Sequence, residues 1–188
     1  SPELSFTQPT GFSFYAKDIY GYEGESIQVM VSTTDDAPAS FSNLGEEIYP
    51  YGWRQHKRLI PANAKYVAIR YTAQNQYYTG IDDIQFYEVP TTPEIELTRV
   101  DAPLMAGNDA PFTLTGNIVN HSSTPITSFE VSYTVADNTV TDTITGVNFL
   151  YNDVSTFTIP TSILISTPGS YTISVTVSDP NGVQDNMT

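Results

Sequence analysis

The 188-residue chain reads as an all-β protein made of two antiparallel β-sandwich domains, and three observations lead there. Apolar residues recur at every second position in short runs, the period of a half-buried strand, while the 3.6-residue helical period is almost absent. Gly, Pro, Asn and Asp punctuate these runs at the intervals typical of antiparallel sheets. The composition, 39% apolar with 12% aromatic, supplies core-forming material that a disordered acidic chain lacks.

Taken in order, Phe12, Phe14 and Ala16 alternate with Ser13 and Tyr15, which predicts a first strand with one buried face. Ile27, Val29 and Val31 against Gln28 and Met30 predict a second, and Val67, Ile69 and Tyr71 against Ala68 and Arg70 a third. Residues 80–87 predict another. At Val89-Pro90-Thr91-Thr92-Pro93 two prolines remove backbone donors and interrupt any ladder. Residues 1–90 carry six Lys and Arg against 11 acids, and 10 of the 13 Tyr with the single Trp; residues 91–188 carry one Arg against 10 acids. The expected organisation is a domain over 1–89, a stiff linker at 90–93 and a second domain over 94–188. In the second domain, strands are expected near 94–101, 111–119, 126–136, 139–147, 154–159 and 169–178, an Ig-like or fibronectin-like sandwich lacking the Cys-Trp-Cys pin. Turns are expected at Ala106–Asp109, Asp137-Asn138 and Thr167-Pro168-Gly169.

A net charge of −14 argues against a nucleic-acid partner. The absence of cysteine excludes disulfides, thiolate metal sites and cysteine nucleophiles. No run of about 18 apolar residues exists.

The order of elements Gly11-Phe-Ser-Phe-Tyr-Ala-Lys-Asp18, Glu25–Thr33, Trp53, Ala64–Tyr71 and Gly80-Ile-Asp-Asp-Ile-Gln-Phe86 resembles the jelly-roll modules called cleaved-adhesin or choice-of-anchor J domains. The resemblance covers about 80 residues and implies a jelly-roll-like first domain. The family's module is about twice as long, so Ser1-Pro2-Glu3-Leu4 falls at its middle and the expectation is a C-terminal half. Half a jelly roll would leave an apolar face in water, so the expectation is that residues 1–89 close into a smaller complete sandwich, or that another copy, by self-association, or the Ig-like domain covers that face. Residues 97–185 are similar to the Ig-like module of a bacterial outer-membrane lipoprotein family, through Asp101-Ala-Pro, Phe112–Asn120, Ile126–Tyr133 and Pro180-Asn-Gly182. Together the resemblances imply a secreted or outer-membrane, cell-surface setting in a Gram-negative bacterium.

Several residues could carry chemistry. Alternation places Asp82 on the face of Ile84 and Phe86, where a carboxylate must be paired, hydrogen-bonded, protonated or metal-bound. The jelly-roll resemblance implies a structural Ca²⁺ site near Asp82, with Asp83 beside it, and hard oxygen ligands suit that ion. Backbone donors or Arg70 are the alternatives. Asp179-Pro180-Asn181-Gly182 with Asp185 has the oxygen spacing of a partial calcium loop, but Asn-Gly after a strand reads more simply as a turn. His56 and His121 read as surface residues, and Arg54, Lys57 and Arg58 as a solvated strand face. Glu46-Glu47 and Asp35-Asp36 fall in loops, without the buried acid that glycoside hydrolysis needs. Asn120-His-Ser122 and Asn186-Met-Thr188 match the N-glycan acceptor pattern, by chance if the source is bacterial.

Tyr49, Tyr51, Trp53, Tyr77 and Tyr78, with Tyr20 and Tyr22, are the candidates for an aromatic ligand-binding platform at a loop rim. The simpler alternative is that these rings cover the sandwich edges. With no nucleophile, base and oxyanion donor converging, no catalytic site is expected. The expected function is a non-catalytic binding or adhesion module of an exported bacterial surface protein, recognising glycan or protein. The alternative is an accessory sandwich region of a larger secreted peptidase or glycan-degrading enzyme.

Overall fold

The computed structural model describes residues 1–18, 25–73, 78–103, 105, 110–136 and 138–184. The expected turns at Ala106–Asp109 and Asp137, and the residues Asp185 to Thr188, lie outside them in whole or in part. The chain is all-β and divides into two compact units, Ser1–Val89 and Pro90–Thr188.

In the first unit the strands are β1 (Thr10–Asp18), β2 (Ser26–Ser32), β3 (Ser42–Asn43), β4 (Arg54–Ile60), β5 (Tyr66–Thr72) and β6 (Thr79–Glu88). They form two antiparallel sheets, β4-β1-β6 and β3-β2-β5. The period-2 pattern sends Phe12, Phe14 and Ala16 from one sheet toward Ile27, Val29, Val31 and Val67 of the other, and Ile60 completes the layer. β2 is more enclosed than its alternation predicts, because Ser26, Gln28 and Ser32 are buried as well. Their polar atoms are met by the following loop: Gln28 Nε2 donates to the Gly45 carbonyl at 2.9 Å and the Ser32 hydroxyl to that of Asp35 at 2.7 Å.

Of the ways the apolar face could be covered, residues 1–89 supply cover from within. Leu4 N–H donates to the Lys65 carbonyl at 2.7 Å, so the leading residues run beside β5. Leu4 and Phe6 pack on the core, and the Phe6 ring lies 5.7 Å from Phe86, itself 5.0 Å from Phe12. What remains in water is on β6, where Ile81, Ile84 and Phe86 are exposed.

β6 also corrects the expected burial of Asp82. Ser13 pairs with Gln85 but Tyr15 pairs with Asp82, so Asp83 and Ile84 together oppose Phe14 in a β-bulge. Asp83 takes φ +51°, and the extra residue reverses the alternation: Asp82 falls level with the outward Tyr15, and Ile81 with the inward Ala16. Both carboxylates are exposed, and Ile84 is 56% exposed.

The second unit contains β7 (Ile95–Asp101), β8 (Thr115–Asn120), β9 (Ile126–Val135), β10 (Asn138–Phe149), β11 (Val154–Thr158) and β12 (Ile173–Ser178), in antiparallel sheets β11-β8-β7 and β10-β9-β12. Read as A, B, C, C′, E and F, these give the A-B-E and C′-C-F groupings of Ig-like sandwiches. β9 is the centre: Phe129, Val131, Tyr133 and Val135 point into a core shared with Ile118, Leu114, Phe157 and Ile159. Its other face, Ser128, Glu130, Ser132 and Thr134, lies level with threonines of β10 and hydroxyls of β12, and Ser132–Thr141 and Thr134–Thr139 hydroxyls bond at 2.7 Å. β8 and β12 start four residues later than expected: within 111–114 pairing is limited to an isolated bridge, Phe112 with Ile163, and the Ile159 N–H bond to the Leu114 carbonyl, and 169–172 join no ladder.

Residues 90–93, expected as a stiff linker, hydrogen-bond within the second unit. Pro90 accepts from Ser123 N–H at 2.7 Å, Thr91 from the Thr124 hydroxyl at 2.6 Å, and Glu94 from His121 N–H at 3.0 Å. The turn that holds them is organised by buried Asn120, whose amide donates to the Thr124 and Phe149 carbonyls and accepts from the Ser122 N–H and hydroxyl. Asn120 is thereby committed and sealed, so in the folded chain it is no glycan acceptor. The far end of the unit's chain returns to the same place. Asp179–Gly182 is a turn with left-handed Asp179 and Asn181, as the Asn-Gly reading expected. The Asn181 side chain caps residues 125–128, accepting from Thr127 N–H at 2.7 Å and donating to the Pro125 carbonyl at 2.9 Å.

Candidate functional site

Antiparallel pairing sorts the loops of the first unit by end. β1 finishes at Asp18, β5 at Thr72, and β2, β4 and β6 begin at Ser26, Arg54 and Thr79, so the connections before and after these residues leave the sandwich at one end. The described part of that end carries Tyr49, Tyr51, Trp53 and Tyr78, all exposed. Tyr77, Tyr20 and Tyr22 lie outside the described residues.

Trp53 is seated by register. It precedes Arg54, which pairs with Ala16, and Gly80 pairs with the next residue, Lys17, on the opposite side of β1. The indole reaches across to Gly80: a Cβ built there would lie 3.1 Å from Trp53 Cη2. Any larger residue there would push the ring outward by a few tenths of an ångström. The indole is held from one side and 53% exposed on the other. Gly52, at φ +69°, makes the turn that aims it. Tyr78, two residues before the seat, is 72% exposed. Tyr51 N–H donates to the Tyr49 carbonyl at 2.9 Å, closing a tight turn around Pro50. The Tyr49 hydroxyl donates to Glu47 at 3.2 Å, and that hydrogen bond and the carboxylate's charge hold its pKa above the ordinary phenol value.

One polar element of this end was missed from sequence. Glu25 is buried, and the Tyr71 hydroxyl donates to its carboxylate at 2.5 Å. Its place directly before the β2 alternation was the available signal. Tyr71 itself, expected inward, is partly exposed at this rim.

The other candidates are dispersed. Asp82 and Asp83 stand side by side on the bulge, where Asp82 Oδ1 accepts the Asp83 N–H at 2.8 Å. Among the described residues no group of three or more His, Asp or Glu gathers as a metal would require. His56 is a correction to the surface reading: it is half-buried against Phe14 at 5.6 Å, its Nε2 without a hydrogen-bond partner among the described residues. Burial, then the charges of Arg58 and Arg54, depress its pKa below 6.5. Arg58 is likewise half-buried, donating to the Lys57 and Glu46 carbonyls at 2.9 and 3.0 Å. Its side chain closes the sandwich edge beside Gly45, where a Cβ would lie 2.9 Å from Nε. In the second unit His121 Nε2 lies 2.7 Å from Glu96, a partly exposed pair on the β7 edge.

What this arrangement can do chemically is present flat, half-exposed rings next to polar groups, the surface that packs on sugar rings or on protein loops. Comparison of the chain with protein-family models, curated proteins and solved structures finds no match.

Proposed function

We propose that the chain is a non-catalytic binding and adhesion module of an exported bacterial cell-surface protein, and that it takes a glycan or protein ligand on the aromatic loop end of its first unit. The observation that carries this reading is Trp53, seated on Gly80 with its free face in water. A large apolar ring is ordinarily left half-exposed by chance, but this one rests on a strand at a glycine, where a Cβ would press on the indole at 3.1 Å. A fixed ring binds with less loss of side-chain freedom than a mobile one. Trp53 is the single tryptophan, so its emission reports directly on ligand. Titration with a panel of soluble oligosaccharides and surface proteins should shift that emission for at least one member. Trp53→Ala should then weaken binding of that member, measured by calorimetry, about tenfold or more while leaving the melting temperature close to unchanged. A ligand that binds the variant as well as the parent chain would remove the site.

A further inference from the structure

The outward positions of the β4-β1-β6 sheet follow row by row from its pairing. Gly11 lies level with Leu59 and Tyr87, Ser13 with Lys57 and Gln85, and Tyr15 with Gln55 and Asp82. In the last row Gly80, level with Lys17, meets the indole of Trp53. Each end of the face therefore carries a ring resting on a glycine. At Gly11 the fit is the tighter: a Cβ would lie 2.3 Å from Tyr87 Cε2 and 2.4 Å from Cζ, so the phenol ring occupies the place of the missing side chain. Along β1 the two rows stand about 20 Å apart, the extended length from Gly11 to Lys17. Between them the face is polar. Ser13 is sealed although it points outward, and Gln55 Nε2 reaches within 3.5 Å of its hydroxyl. Gln55, Gln85 and Asp82 are exposed, Lys57 is half-buried, and the Tyr15 ring is exposed beside them.

Among the described residues no other sheet face combines these features. The outward positions of β10-β9-β12 hold serines, threonines and Glu130, and those of β11-β8-β7 hold no ring. On β2 the outward Gln28 and Ser32 are covered by the following loop. A protein partner needs an apolar centre sealed by a polar rim. Here the order is reversed, with rings at the two ends and amides, an amine and a carboxylate between them. A sugar chain matches that order, because each unit offers a C–H face that rests on a ring and hydroxyls that exchange hydrogen bonds with amides and charged groups. Lys17 and Lys57 stand against Asp82 and, on the bulge, Asp83, so no field of one sign selects a charged ligand. We propose that this face is a binding platform for a linear, uncharged glycan several sugars long, which lies over Trp53 and runs along β1 to Tyr87. The proposal rests on the reading of Trp53 as a ligand seat and names the ligand class for it.

The probes are cello-, xylo- and manno-oligosaccharides, each from disaccharide to hexasaccharide, titrated into the full chain with the emission of Trp53 as the signal. In at least one series affinity should rise about tenfold or more from the disaccharide to the hexasaccharide, as the chain passes beyond the indole to Gln55, Gln85 and Tyr87. Tyr87→Ala should abolish that gain. If that variant fails to fold, Gln85→Ala, at an exposed position, should weaken hexasaccharide binding about threefold or more. Equal affinity at every length, or a full gain retained by Tyr87→Ala or, in its place, by Gln85→Ala, would overturn the proposal while the emission shift still upheld Trp53 as a seat. A surface protein that shifts the emission and is lost in Trp53→Ala, when no glycan does so, would overturn it in the same way. Emission unmoved by any glycan or protein would remove the Trp53 seat itself, and this proposal with it.

Discussion

At the scale of single residues, Gly80 and Trp53 make one device. Gly80→Val should dislodge the indole and red-shift its emission, while costing about 1 kcal/mol or less in chemical denaturation because the ring is half in water already. Asn120→Ala belongs to the opposite class. It leaves two carbonyls and the Ser122 donors of a sealed turn without partners, and about 3 kcal/mol of destabilisation is expected in urea melts. His56 gives a pH dependence. Its folded pKa lies below its unfolded value near 6.5, so the unfolded chain binds the proton more readily and stability should decline as pH falls below about 6.5. His56→Phe should flatten the melting temperature across that window. Asp35, lowered first by the Ser40 hydroxyl and then by Ala37 N–H, would lose its contribution only as pH falls through and below 3.8, which keeps the two windows apart. None of these roles was legible beforehand. Asn120 stood out only as part of a glycan-acceptor pattern, and His56 and Arg58 looked solvated because an alternating polar run does not reveal which of its faces is inward.

Among elements, alternation located nearly every strand, because a half-buried strand must place its apolar residues two apart. It failed where the backbone breaks that count. The β6 bulge is one added residue, and it inverted the inferred face of Asp82 while leaving the strand itself correctly placed. The bulge also identifies its own test. Asp83 holds φ +51°, so Asp83→Gly should be neutral or stabilise by up to about 1 kcal/mol, whereas Asp83→Val should cost about 1–2 kcal/mol, both read by urea denaturation. Equal effects of the two would mean that the left-handed conformation is not retained in solution. The aromatic rim was legible as composition but not as a place. Tyr49, Tyr51, Trp53 and Tyr78 are separated by two strands in sequence, and antiparallel pairing alone brings their loops to one end.

For the whole molecule, the chain divides between Val89 and Pro90, beside the proline pair at 90–93; proline chemistry predicts a break in the ladder there but not the partners that hold the broken segment. Each unit has its own core, so residues 1–89 and 90–188 expressed separately should each unfold cooperatively, as near-ultraviolet circular dichroism on heating would show. The capture of residues 90–94 and of Asn181 by the same turn, 120–128, has a mechanical consequence. Tension drawn between these two points runs through a short strap of hydrogen bonds and bypasses the packed layers of the second unit. The strap yields first and bond by bond, at low force, and only the length it releases passes the pull on to β7 and β12. Under intermittent drag such a unit gives slack before its core bears any load.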